Sequence, residues 1–278
     1  MKYLNKKIYL VFFLINLLLA NSMAFGKNAK FSHSKDHIFN YFSGMIAISQ
    51  NDTTSGFKHL KKAKQLKNVH YNYNVQFLRS LILLNKFDEA FSFSKEIWDE
   101  DILYFDADLL IGIKYFIEED FLNAEKYFSR LNSFTKYNLF LDDFLGNVLI
   151  SWVKASKNDK EGAFKYYEEI PDRYKKLKKI QHALLQCYFD TSKTELSFKE
   201  LTDNEDYSSR YNFFLINYLL HKNNNINAEE IIQKGREDYS SNLLIKQSED
   251  FVSKKDYKKI KEFFNCNNPK DSIAEIFY

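Results

Sequence analysis

Two imidazoles four residues apart, in His33-Ser-Lys-Asp-His37, are the first residues of this sequence whose types and spacing could do chemistry. On a helix, positions i and i+4 share a face, and with Asp36 between them the pair could contribute to a zinc site. The pattern stops short of that. No His-Glu-x-x-His glutamate accompanies it and no fourth ligand is suggested, so the segment reads as a solvated start to the fold. Carboxylates also stand side by side in Glu118-Glu119-Asp120 and Glu168-Glu169. Adjacent helical residues project about 100° apart, so neither set brings two carboxyl groups onto one glycosidic bond. Capping and solvated faces account for them. His59, His70, His182 and His221 are scattered. No G-x-S-x-G elbow, Walker loop or dinucleotide-binding glycine pattern occurs. The sequence is therefore expected to hold no catalytic, cofactor or metal site, and its chemistry to be that of a surface.

The elements that build this surface are helices. Gly occurs only 7 times and Pro 2 times in 278 residues, few for a chain rich in turns, while 45% apolar residues are ample for a core. Aromatics reach 17%, with 27 Phe and 19 Tyr. With abundant Asn, Ile and Lys, that usage is also what an AT-rich genome gives. The formal charge of +3 comes from Lys2, Lys6 and Lys7; without them 37 basic residues face 37 acidic ones. A balanced chain has no general attraction for nucleic acid. Basic blocks at Lys58–Lys67 and Arg173–Lys179, and an acidic stretch holding Glu96, Asp99, Glu100, Asp101, Asp106 and Asp108, read as solvated helix faces.

Residues 1–24 read as an export signal. Lys2, Lys6 and Lys7 form a positive start, Ile8–Ala20 is apolar but for Asn16, and Ser22 and Ala24 supply the small residues of a cleavage site after Ala24. The apolar run is short of the roughly 20 residues a membrane span needs. The expected location is the periplasm, with any membrane association indirect or through an uncleaved signal segment. Cys187 and Cys266 lie more than two repeats apart along a stacked array. A bridge requires Cα atoms within about 7 Å, so two buried free thiols are expected.

One short helical sentence recurs along the chain: Asn85-Lys-Phe-Asp-Glu-Ala90, Glu119-Asp-Phe-Leu-Asn-Ala124, Asn158-Asp-Lys-Glu-Gly-Ala163 and Asn223-Asn-Asn-Ile-Asn-Ala228, with a fainter copy at Asn51-Asp-Thr-Thr-Ser-Gly56. Gly56 to Ala90 and Ala90 to Ala124 are each 34 residues, the length of a two-helix unit that cannot bury its apolar face alone. Gly112 and Ala124 are placed where paired helices cross closely, Phe128 fills beside them, and Gly44 and Leu60 repeat this two units earlier. Ala124 to Ala163 is 39 residues, which implies a longer connection near Asn132–Asp142. Ala163 to Ala228 is 65, enough for two units, the first pairing Gln181–Phe189 with Glu195–Leu201. A seventh unit spans roughly Asn242–Phe264, and Asp271-Ser-Ile-Ala-Glu-Ile-Phe-Tyr278 reads as the opening of another first helix, as if the sequence continued.

The period and the small residues at helix contacts resemble the tetratricopeptide (TPR) pattern over residues 37–265, although its aromatic at the fourth position and its closing proline are mostly missing. The order of features is also similar to exported TPR proteins of alphaproteobacteria without an assigned reaction. The resemblance implies an all-α, right-handed superhelical solenoid over residues 37–278 after a flexible segment at 25–36. It implies a protein or peptide partner in a concave groove lined by first helices. Carried onto this sequence, the groove positions are Tyr41, Met45, Ile48, Val75, Arg79, Ile82, Ile113, Phe116, Val148, Trp152, Phe213 and Asn217, with Trp152 and Arg79 the strongest anchors. Their mix of apolar and aromatic residues favours an apolar helix or extended chain over an acidic tail. The alternative is the superhelical part of a peptidoglycan-processing enzyme whose catalytic domain lies outside this sequence.

Overall fold

The computed structural model describes residues 34–132, 144–202, 210–238, 242–262 and 264–274. The residues read as an export signal, His33, the connection at 133–143 and residues 275–278 lie outside the described residues. The helices are α1 (Lys35–Ser49), α2 (Thr53–Lys62), α3 (Tyr71–Leu83), α4 (Phe87–Ile97), α5 (Phe105–Ile117), α6 (Phe121–Asn132), α7 (Phe144–Ser156), α8 (Lys160–Glu168), α9 (Lys175–Tyr188), α10 (Thr194–Thr202), α11 (Arg210–His221), α12 (Asn225–Asp238), α13 (Leu243–Ser253), α14 (Tyr257–Glu262) and α15 (Pro269–Ala274). Among the described residues there is no strand. The first fourteen helices pair into seven hairpins, an all-α helical-repeat solenoid.

The recurring hexapeptide is the turn between paired helices. Each first helix ends on a residue with positive φ: Asn51, Asn85, Glu119, Asn158, Asp190, Asn223 and Lys255, at 46–63°. At every one of them the same two hydrogen bonds close the helix. In the fourth hairpin Asn158 N donates to Ala155 O at 2.8 Å and Asp159 N to Lys154 O at 2.9 Å. This is the left-handed helix stop that satisfies the last orphan carbonyls, and Asn tolerates it best of the residues with a side chain. The next residue then starts the second helix. Asp52, Asp120 and Asp159 accept from Ser55 N, Asn123 N and Gly162 N at 2.9, 3.2 and 2.8 Å, an N-cap. Stop and start therefore need only two residues, which is why the motif is short and the hairpins tight.

The chain forms two compact units, Met1–Ser80 and Leu81–Tyr278. In the first, α1 crosses α2 closely. A Cβ on Gly44 would stand 2.8 Å from Leu60 Cγ, so only glycine allows this approach. Tyr73 is fully buried, its hydroxyl donating to Leu60 O at 3.1 Å, and its ring stacks on Phe77 at 5.6 Å.

In the second unit, consecutive helices from α4 to α14 pack on one another, and a core running from Phe116 to Ile273 joins α5 to α15. Gly112 faces the Phe128 ring so closely that a Cβ there would collide with it, as the sequence pairing of those residues implied. The acidic stretch is not wholly solvated. Asp108 is fully buried, accepting from Arg130 Nε at 2.9 Å and Trp98 Nε1 at 3.1 Å. Arg130 also holds the Asp99 and Glu100 carbonyls at 2.8 and 3.0 Å, pinning the link between α4 and α5. Burial raises the Asp108 carboxyl above its ordinary value, and Arg130 opposes that rise.

The expectation of free thiols is overturned. Cys187 and Cys266 form a disulfide, their Cα atoms 5.5 Å apart across 79 residues. The physical reason is that residues after α14 do not extend the stack. α15 is helical, as read from the sequence, but it packs back on α7 and α9, and this return brings Cys266 to the end of α9.

Candidate partner-binding groove

An open apolar groove lies where the last turn of α3 meets α4 and α5. Ile82 contributes from α3, Phe87 and Phe91 from α4, and Leu110, Ile113 and Ile117 from α5, around a cavity of about 840 Å³. The α5 residues recur at helical spacing and form one face. Phe87 is 51% exposed and Ile117 52%. Such a helix would ordinarily bury one stripe. In α5, Ala107, Ile111, Gly112 and Phe116 already occupy the core face, so the apolar residues of the opposite face are left over.

The rim carries charge. Asp88, Asp106 and Lys114 border the cavity. Lys114 pairs with Glu118 at 2.9 Å, and its pKa is raised mainly by that hydrogen bond and charge. The ammonium groups of Lys95 and Lys114 stand 5.4 and 5.9 Å from the Phe91 ring centroid, in reach of a cation–π attraction. The rim thus carries both signs of charge, with Asp88 on α4 beside Lys114 on α5.

The sequence-derived groove residues divide three ways. Ile82 and Ile113 line this cavity. In the first unit, Tyr41, Met45, Ile48 and Val75 are half-buried and Arg79 is exposed; Tyr41 lies against His70 at 4.7 Å between ring centroids. The remainder are in the core. Phe116, Val148, Trp152, Phe213 and Asn217 are 4%, 1%, 0%, 6% and 0% exposed. Trp152 donates its indole N–H to Gln181 Oε1 at 2.8 Å and meets Tyr188 edge-on. An indole so enclosed holds helices together, and a partner cannot touch it in this arrangement. Sequence reasoning missed Phe87, Phe91, Leu110 and Ile117. Their signal was the surplus of apolar residues in α5 beyond one stripe, together with two Phe four apart on α4.

No side-chain cluster among the described residues could hold a metal ion, and no helix among them is long and apolar enough to cross a membrane. No protein-family model and no curated protein matches the chain. A tetratricopeptide repeat protein from Parabacteroides merdae superimposes with a TM-score of 0.63 at 11% identity, over 88% of this chain and all of that one. The fold is that of a TPR protein. YrrB, described as a TPR protein with an unusual peptide-binding site, matches at a TM-score of 0.43 and 14% identity over 69% of this chain and 97% of its own. The apo form of RapI matches at 0.43 and 16% over 82% and 93%. Within this TPR-like fold, the first helices at the groove are α3 and α5, the positions at which the sequence placed Ile82 and Ile113.

Proposed function

We propose that this TPR-like protein is an exported, non-catalytic scaffold that binds a peptide segment of a partner protein in the α3–α5 groove. The observation that carries the reading is the groove itself. Folded surfaces seldom leave a contiguous apolar patch of this kind open unless something binds there, and its volume and apolar lining are those of a ligand cleft. Asp88 on the rim favours one kind of occupant: an amphipathic helix or extended segment with apolar anchors and a neighbouring Lys or Arg. Helix-in-groove recognition uses anchors at such spacings. Export is supported by the Lys2–Ala24 pattern and by the Cys187–Cys266 disulfide, since such bonds persist in oxidising compartments.

The groove is tested by fluorescence anisotropy with short labelled peptides carrying Leu and Phe at helical spacing, flanked by Lys in one set and Glu in the other. The Lys set is expected to bind and the Glu set to bind weakly. Ile113→Glu should remove binding by the Lys set while leaving the circular dichroism spectrum unchanged. Equal affinity of folded Ile113→Glu and wild type would place the binding surface elsewhere. Export is tested by intact mass of the envelope-fraction protein, where a chain starting at Phe25 is expected and one retaining Met1 in the cytoplasm would refute it.

A further inference from the structure

A second face of the unit spanning Leu81–Tyr278 is covered by the chain's own C-terminal segment, residues 264–274. Phe264 packs on Phe214 of α11, ring centroids 4.5 Å apart. Just before it, His221 Nε2 at the end of α11 donates to Lys261 O at 3.2 Å. Cys266 is bonded to Cys187 at the end of α9. Asn267, Asn268, Pro269 and Lys270 then border a cavity of about 380 Å³ shared with Ser156 at the end of α7 and Phe116 of α5. Finally α15 packs on α7 and α9, and Ile273 joins the core that holds Trp152. The segment thus runs across the ends of successive first helices, backwards along the array. It lies as a strap over first helices, which is where the sequence placed a ligand.

We propose that this strap is an in-cis occupant of a second peptide-binding face, latched by the Cys187–Cys266 disulfide, and that reduction frees the face for a partner segment of the strap's own chemistry: an aromatic residue followed by a short helix bearing a β-branched anchor. The proposal deepens the scaffold reading but concerns a different face from the α3–α5 groove.

Three observations support a latch over a permanent seam. Apart from the bond, the strap offers two buried apolar anchors, Phe264 and Ile273, while Asn265, Asn267 and Lys270 are exposed. Its fit is incomplete: Ser272 Oγ is buried without a hydrogen-bond partner among the described residues. Buried polar atoms in native structures are nearly always partnered, so the seated strap carries a cost that its release removes. The bond is also reachable. Cys187 is 2% exposed, but Cys266 is half-buried and borders an open cavity of about 200 Å³.

The reductant is a dithiol protein. Its thiolate attacks Cys266 Sγ, the Sγ–Sγ bond breaks, and Cys187 leaves as a thiolate that takes a proton. The second thiolate of the reductant then attacks the mixed disulfide, releasing Cys266 as a thiol. Two electrons and two protons pass to the protein, and the reductant is left as its own disulfide.

The experiment uses the full mature chain, oxidised or reduced, with a labelled synthetic peptide of residues 260–274 carrying Cys266→Ser. Hydrogen exchange is expected to show residues 264–274 protected when oxidised and exchanging freely when reduced, with α7, α9 and α11 still helical. The peptide should bind the reduced chain and not the oxidised one. Phe264→Ala in the reduced chain should tighten peptide binding by about tenfold, because it weakens a competitor of high effective concentration. Cys187→Ser should behave as the reduced wild type. Equal protection of the strap in both redox states overturns the proposal, as does global unfolding of the reduced chain and of Cys187→Ser. Release of the strap without peptide binding also overturns it. Peptides that fill the α3–α5 groove should bind equally in both redox states, so failure here and failure of the groove reading give different results.

Discussion

The α3–α5 groove and the α7–α11 face are made from equivalent first helices, yet one is open and the other closed. Ile113 in α5 and Trp152 in α7 were both placed toward a partner by their sequence positions. In the structure Ile113 borders an open cavity, whereas Trp152 is fully enclosed with its N–H on Gln181. The residue types do not explain the contrast, since Trp152 is the better binding anchor by chemistry. What differs is what lies over each helix. α7 and α9 contact each other and receive α15, whereas the outward face of α5 borders the open cavity. Exposure in a repeat array is decided by neighbours, and identical repeat positions acquire opposite roles.

The sharpest way to break this comparison is to truncate one aromatic from each face and measure urea unfolding. Trp152→Ala is expected to cost about 3–5 kcal/mol, from a large cavity and an orphaned Gln181 acceptor. Phe91→Ala, in the open groove, should cost about 1 kcal/mol or less while weakening the binding of apolar, lysine-flanked peptides. If the two costs were equal, the groove would be as well packed as the core and the distinction would fail.

A smaller effect probes the contact between α8 and α9 through His182. Its ring stacks on Tyr167 at 5.2 Å and lies 2.8 Å from Gln186 Nε2 through its own Nε2. Burial lowers its pKa below the ordinary 6.5, with Glu168 and Glu200 pulling weakly the other way. The sign follows from proton counting. As pH falls through 6.5 the unfolded chain takes up a proton before the folded one, so stability is present above that value and declines below it. His182→Gln should flatten this acid-side decline, measured as denaturation midpoints across the range. A decline of the same slope in the variant would assign it to other groups.

Much of the fold was legible in the chain. The hexapeptides at Asn85, Glu119, Asn158 and Asn223 marked the turns because a left-handed helix stop followed by an N-cap needs particular residues at particular places. Asp190 and Lys255 adopt the same stop without the sentence around them, so the fifth and seventh turns were placed by spacing alone. Gly112 against Phe128 and Gly44 against Leu60 were legible because close crossing excludes a Cβ. The groove was half legible. Ile82 and Ile113 follow from helix position, but Phe87 and Phe91 sit on a second helix, where the TPR resemblance placed no groove residue.

The sequence by itself determined the helices, their pairing and their period, because these depend on contacts within some thirty residues. It also carried the surplus of apolar residues on α5. Only the tertiary structure decided that the segment after α14 turns back, that Cys266 reaches Cys187, and that Trp152 lies beneath a covered face. Those outcomes depend on how small rotations between successive hairpins accumulate over several units. No local pattern records that sum, so the chain could specify each repeat and still leave unread which repeat faces stay open.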